Sequence, residues 1–361
     1  MPLECACVLP AQKNSALSNT QHEKASFHLP GLAEKHDILK ISNPLPREAR
    51  IVFDEEKHEY WIDGVHKVPR SVTGLVHAYG WDFDARAAVT AMKSSARWPD
   101  KREAFLTDAG DEMADDAIVE MWKHRGNIAS ARGTLLHWHA EMHLNGRRMD
   151  LPHSPEFRMF LDILDMLQRD FGLRPYRTEL CVLHCGLRLA GQADALFVDE
   201  RGTITILDWK RTQRITWENA YRSLKEPINH LPDCNGWLYS LQLNVYKYML
   251  ETENDCRVSA MFLGQVHPSL PKAKLIRVPS MEDEINLIVS DQLALGEAVS
   301  EALPGVDAPF TLPGQTKLTT VFVCARISQC ARLLVRTCLR VSSRFSVVLL
   351  CARGLERDEG F

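Results

Sequence analysis

The sequence predicts an α/β fold with a mixed central β-sheet flanked by helices, and three observations carry that prediction. Residues 187–198 and 203–209 are rich in Leu, Ile, Val, Phe and Thr, and Asp199-Glu200-Arg201-Gly202 between them is turn chemistry, so the pair reads as a β-hairpin. Helical periodicity brackets that hairpin. Phe157, Phe160, Leu161, Leu164 and Leu167 line one side of 155–171, and Leu238, Leu241, Val245 and Met249 line one side of 236–251. Further strands read at 176–184 and 257–266, and strands interleaved with helices place the helices on the faces of a sheet.

The chain divides into three stretches. Residues 1–50 are polar and aperiodic, with prolines at 2, 10, 30, 44 and 46, and read as a disordered or loosely packed leader. Residues 51–300 carry the periodic segments. At 51–67 apolar and polar residues alternate around Asp63-Gly64, a hairpin signal. Ser71 or Thr73 is placed to cap a helix at 74–79, and helices are expected at 85–95, 114–124, 128–144 and 281–298, with a break at Trp98-Pro99-Asp100. Residues 301–361 read as a basic extension. From Lys317 to Arg353 it holds six arginines and no acid, with Arg332, Arg336, Arg340 and Arg344 every fourth residue, a pattern suited to nucleic acid or anionic lipid and unsuited to a membrane span.

With 361 residues, the chain is long enough for one or two domains with a full core, and its composition is ordinary for a soluble protein. The formal net charge of −4 gives no overall advertisement of nucleic-acid binding, though positive charge confined to one groove is compatible with it. Ten scattered cysteines without a CxxC, and a start lacking a charged segment followed by an apolar run, point to free thiols in a reducing, intracellular compartment. Nucleus, cytoplasm and mitochondrion are not distinguished. Acids at 4, 23, 34, 37 and 48 with arginine only at 47 and 50 give no support to mitochondrial import.

The chemistry gathers at the hairpin. Asp194 lies on its first strand and Asp208-Trp209-Lys210 on its second. Side chains two apart on a strand share a face, so Asp208 and Lys210 point the same way with the Trp209 carbonyl between them. A hard cation such as Mg²⁺ takes carboxylates, carbonyls, waters and phosphate oxygens, which suits Asp194, Asp208 and a main-chain oxygen to metal-dependent phosphodiester hydrolysis. Lys210 is placed to orient a water or stabilise the pentavalent phosphorus. The bland alternative is a surface ion pair worth under about 1 kcal/mol. On the 128–144 helix, Gly133, His137 and Glu141 share a face. The glycine allows close approach of a backbone or substrate, and His137 offers an imidazole to a metal or phosphate, or is a satisfied core histidine. His139 and His143, four apart, form a possible zinc pair without a third ligand, and His139-Ala140-Glu141 lacks the P-C-x-x-C of zinc deaminases. Arg211, Arg214 and Arg222 with Trp217 and Tyr221 suit a nucleic-acid strand or, alternatively, a solvated loop. Gln242 and Tyr246 share a stripe from which they reach metal ligands or a nucleotide, or Tyr246 is simply core.

Asp194 followed by Asp208-Trp209-Lys210 across a strand hairpin resembles the signature of the PD-(D/E)XK nuclease superfamily, in particular its RecB-type exonuclease branch. Gly133-Thr134-Leu135-Leu136-His137 matches that branch's upstream Gly-x-x-x-His motif, and Gln242-Leu243-Asn244-Val245-Tyr246 its downstream Gln-x-x-x-Tyr motif, in the family's order. A hairpin followed by Ser71-Val72-Thr73 extends the likeness upstream, so that it covers residues 52–298. The resemblance implies a restriction-endonuclease-like core and hydrolysis of DNA by a Mg²⁺- or Mn²⁺-dependent exonuclease in repair, recombination or genome maintenance. It implies Asp194, Asp208, the Trp209 carbonyl and His137 as metal ligands, with Lys210 catalytic. It also implies Glu179, on the strand before the hairpin, as an assisting acid, where the residues alone allow an edge-strand charge. Some relatives hold an iron–sulfur cluster, but Cys324, Cys330 and Cys338 depart from the spacing and none is expected. With no GxxxxGK[ST], any ATP-driven unwinding would come from a helicase partner. Two rivals stay open: a nuclease-like module that grips nucleic acid without cutting, and a hydrolase of RNA or another phosphodiester. Oligomeric state is not legible.

Overall fold

The protein's structure, a computed structural model, describes residues 37–147 and 154–297, all within one compact unit, Met1–Asp307. Helix α1 (Ile38–Ser42) and a 3-10 turn (Pro46–Arg50) lead into a small antiparallel sheet of β1 (Ile51–Asp54), β2 (Glu59–Ile62) and β3 (His66–Lys67). A short strand β4 (Arg70–Ser71) opens α2 (Val72–Tyr79), where the Ser71 hydroxyl accepts from the Gly74 amide as an N-cap. Next come α3 (Ala85–Lys93), α4 (Trp98–Lys101), a 3-10 turn (Arg102–Phe105), α5 (Asp115–Leu144) and α6 (Pro155–Phe171). The main strands are β5 (Arg174–His184), β6 (Leu189–Val198) and β7 (Ile204–Arg211). After them come α7 (Asn235–Glu253), β8 (Val258–Val266), β9 (Lys274–Arg277) and α8 (Glu282–Glu297).

The larger sheet has six strands in the order β4-β6-β7-β8-β9, with β5 paired to β6 off that path. It is mixed: β5–β6, β6–β7 and β8–β9 are antiparallel, while β4–β6 and β7–β8 are parallel. A parallel pair needs a crossover, and α7 supplies it between β7 and β8. One face of the sheet packs on α2, α7 and α8 through Val72, Leu196, Ile206, Leu241, Met249, Leu263 and Ile285. The other packs on α5 and α6 through Leu136, Phe160, Ile163, Leu207, Trp209 and Phe262. Burial on both faces explains why β7 reads as a near-continuous apolar run rather than an alternating one.

The structure differs from the sequence reading at several points. Residues 37–50, assigned to an irregular leader, form α1 and the Pro46–Arg50 turn. A buried Arg177–Glu48 ion pair and the Asn43 side chain, which donates to the Tyr176 carbonyl, fasten this segment to β5. Their polarity misled because the partners are distant in sequence. The helices expected at 114–124 and 128–144 are one, α5, because a single interior glycine such as Gly126 costs only about 1 kcal/mol and does not end a helix. Trp98-Pro99-Asp100 does separate α3 from α5, with the proline in the first turn of α4, where its missing N–H is tolerated. Strands β4 and β9 are too short to show a period. Residues 1–36, the 301–361 extension with its arginines, and Cys324, Cys330 and Cys338 lie outside the described residues. No helix among the described residues is long and apolar enough to cross a membrane.

Gly264 of β8 faces Trp209 of β7 so closely that a Cβ there would lie 2.7 Å from the indole Cε3. Gly264→Ala is expected to destabilise the fold by about 1–3 kcal/mol through overpacking, read as a lower urea midpoint. An unchanged midpoint would contradict this packing.

Candidate active site

The site forms where β6 leaves β7. The antiparallel ladder between them ends at Ala195↔Leu207, one residue short of Asp194 and Asp208. Beyond that pair β7 continues alongside β8, and the Trp209 N–H donates to Asp194 Oδ2 at 2.8 Å. A side-chain carboxylate thus replaces the next ladder bond, which fixes the Asp194 rotamer and ties it to the backbone of the Asp208–Lys210 stretch. On the other side of β6, the β5 ladder pairs Thr178↔Ala195 and Leu180↔Ala193 and skips Glu179. Glu179 has φ of +45°, the left-handed region that non-glycine residues avoid. The register is the same on both sides of this gap, so Glu179 stands opposite Asp194 of β6.

One ligand atom each from His137, Glu179 and Asp194 lies within 4.8 Å of the others. His137 comes from α5. Its Nε2–H donates to the Trp209 carbonyl at 3.1 Å, and its Nδ1 lies 3.4 Å from Asp194 Oδ2. Since a carbonyl only accepts, Nε2 carries a proton, which leaves Nδ1 as the ring nitrogen facing Asp194. A backbone carbonyl holding one imidazole nitrogen while the other faces a metal is the arrangement that orients a histidine ligand. The Trp209 carbonyl, expected as a metal ligand, accepts from His137 with one of its two lone pairs.

Asp208 sits beside this trio. Its Oδ2 is 2.6 Å from Lys210 Nζ and makes no other polar contact among the described residues. Lys210 is further held by Gln242 Oε1 at 3.3 Å and by the Tyr239 ring, 4.6 Å from the ammonium. Burial raises the Asp208 carboxyl to about 6, with the Asp194 charge adding to the rise and Lys210 opposing it. Although burial works against its charge, Asp208 and Asp194 hold the Lys210 ammonium above its ordinary value. Burial, then the charges of Asp194, Glu141, Asp208 and Glu55, push Glu179 well above the usual carboxylate range. Negative charge here exceeds what Lys210 balances, and the donors are carboxylate oxygens with one imidazole. That set fits a hard divalent cation.

Other expected residues fall into different places. Tyr246 is 2% exposed, and its ring packs on Gly191, where a Cβ would lie 2.8 Å from Tyr246 Cε1; it is core, with its hydroxyl 3.5 Å from Gln242 Nε2. Arg211 is bound to Glu156 of α6 through Nε and Nη2, at 3.0 and 2.8 Å, so it braces β7 against α6 instead of facing substrate. Arg214 is exposed, and Tyr221 is 98% exposed, while Trp217 packs edge-on against Trp237 and Arg222 pairs with Asp233. His139 and His143, both half-buried, lie against Phe157, and His143 also against Phe160; among the described residues neither joins a group of three potential metal ligands. A Cβ at Gly133 would meet nothing within 4 Å, so the glycine does not serve close packing on another backbone. Tyr239 was missed. Its only signal was its place three residues before Gln242, on the α7 turn that faces Lys210.

Glu179→Gln is expected to stabilise the protein in EDTA at pH 7 by on the order of 1 kcal/mol, because the unfolded chain ionises Glu179 while the folded state resists it. The gain should vanish as the pH falls toward the ordinary carboxylate range, where both states bind the proton. Thermal melts at pH 7 and pH 4 check this, and equal melting of variant and wild type at pH 7 would contradict it.

A family model described as the PD-(D/E)XK nuclease superfamily matches residues 102–330, more than half of the chain. No curated protein matches. Among solved structures, the chain is similar to a protein named SSO0001, with 14% identity and a TM-score of 0.23 over 63% of this chain and 76% of that one. It is also similar to a protein from Eubacterium rectale named as a candidate exonuclease, with 10% identity and a TM-score of 0.27 over 64% of this chain and 82% of that one.

Proposed function

Because the chain belongs to the PD-(D/E)XK nuclease superfamily, whose members hydrolyse phosphodiester bonds with divalent metals, we propose that it is a Mg²⁺- or Mn²⁺-dependent deoxyribonuclease of the RecB-type exonuclease branch. One observation carries the reading: His137, Glu179 and Asp194 converge within 4.8 Å beside a buried Asp208–Lys210 pair. The order of the Gly133…His137, Asp194, Asp208…Lys210 and Gln242…Tyr246 motifs supports the branch. Repair, recombination or genome maintenance is the role proposed with it, on DNA as the partner and with a helicase for any unwinding.

Asp194, Glu179 and the Nδ1 of His137 would hold the cation, with Asp208 close by. When bound, it lowers the pKa of a water and offsets charge on the phosphate. Lys210 does the chain's own part. Its ammonium is fixed by Asp208, Gln242 and Tyr239, so it meets the attacking water and the phosphate without reorganising. Asp208 keeps that ammonium charged in a buried place. The Asp194 bond to the Trp209 amide holds both strands in one geometry, which matters because small displacements of reacting groups cost large factors in rate.

End-labelled single- and double-stranded DNA and RNA, incubated with Mg²⁺, Mn²⁺ or EDTA, test this. DNA cutting should require the metal and fall by a factor on the order of 10² or more in Lys210→Ala. That variant also loses the partner of buried Asp208 and should melt lower, so cutting is compared at a temperature where both proteins are folded. Binding without cutting, unaffected by Lys210→Ala, would instead favour an inactive module. Metal-dependent cutting confined to RNA would replace the substrate.

A further inference from the structure

Three separate parts of the chain meet at one side-chain amide. Asn145, the residue that closes α5, is 2% exposed. Its Oδ1 accepts from the Leu39 N–H of the 37–50 segment at 3.0 Å. Its Nδ2 donates to the Glu141 carbonyl of α5 and to Thr178 Oγ1 of β5, both at 2.9 Å. Both amide hydrogens are therefore used, and each joins a different element. Asn145 follows His137 by eight residues on the same helix, about 12 Å along the axis. Thr178 immediately precedes Glu179.

That neighbourhood is where β5 is under strain. Glu179 occupies the left-handed region and skips its place in the β6 ladder, a conformation that persists only where its surroundings over-determine it. The three preceding residues supply the restraint. The Tyr176 carbonyl accepts from Asn43 Nδ2, Arg177 donates to the Asn43 carbonyl and pairs with Glu48, and Thr178 is held by Asn145. Every one of these contacts involves either residues 37–50 or the end of α5.

We propose that Asn145, acting through Thr178, is a positioning residue that sets Glu179 against His137, and that residues 37–50 belong to the catalytic unit. The inference rests on the metal-centre reading above. Asn145 touches neither substrate nor metal in it. It fixes the spacing between the helix that presents the imidazole and the strand that presents the carboxylate, as the hydrogen-bonding partners of ligand-bearing groups do in metal sites.

The test is calorimetric titration of Mn²⁺ into the full chain, comparing wild type, Thr178→Val, Thr178→Ser and Asp194→Asn, with melting in EDTA alongside. Thr178→Val keeps shape and strand preference but removes the acceptor of the Asn145 bond, and Thr178→Ser keeps the hydroxyl. Thr178→Val is expected to bind Mn²⁺ about tenfold more weakly at near-normal melting, with Thr178→Ser restoring affinity. Affinity unchanged in Thr178→Val, or lowered equally in both variants, would overturn the proposal. Should Thr178→Val fail to fold, Asn145→Asp, which keeps the acceptor for Leu39 and loses both donors, must show the same weakening. Asp194→Asn identifies the titrated site by losing binding. A wild type that binds no Mn²⁺ overturns the metal reading and this inference together, and is told apart from a failure of the inference alone by the wild-type titration.

Discussion

Carboxylates brought together out of water repel one another and lose hydration, so a fold that gathers them must offset the cost with a cation, a proton or directed donors. Glu179, Asp194 and Asp208 are gathered in this way, with Glu141 close enough to act on Glu179. The described residues offset it in part: Lys210 lies against Asp208, and the Trp209 amide serves Asp194. Glu179 has no comparable donor among the interactions of the site, and burial followed by the charges of its acidic neighbours raises its proton affinity. The excess of negative charge is the property that a divalent cation would neutralise, and the surrounding architecture can be understood as holding the excess in place.

Two departures from regular sheet geometry do the holding. Where β6 and β7 part, Asp194 takes over the role of a ladder partner. Where β5 passes Asp194, Glu179 leaves the ladder. A perfect β5–β6–β7 sheet would direct these acids by strict alternation and satisfy its backbone without them. The helices then set the third dimension: α5 brings His137 to the Trp209 carbonyl, and α7 brings Gln242 and Tyr239 to Lys210. Gly191 and Gly264 let Tyr246 and Trp209 pack against bare backbone beside these side chains.

What was legible in the sequence follows from range. The hairpin, α6, α7 and the Asp194, Asp208, Lys210 set are written in short periods and local spacing, and the ordered motifs add His137. Glu179 was legible only through the resemblance, because nothing local in Thr178-Glu179-Leu180 announces a left-handed residue. The burial of Arg211 was hidden in Glu156, 55 residues earlier, and the anchoring of residues 37–50 in Asn145 and Arg177, more than 100 residues later. Those pairs are single polar contacts between distant elements, and no period or local composition encodes them. Tyr246 shows the converse: a residue can match a motif and still be positioned as core, so that the motif marks a place in the fold rather than a contact with substrate.

The most direct measurement is a crystal structure grown with Mn²⁺, with the metal located by its anomalous scattering. The account predicts one strong peak within coordination distance of Asp194, Glu179 and His137 Nδ1, with the imidazole Nε2 still bonded to the Trp209 carbonyl and Lys210 still against Asp208. Anomalous density elsewhere on the protein with none between these three residues would contradict it.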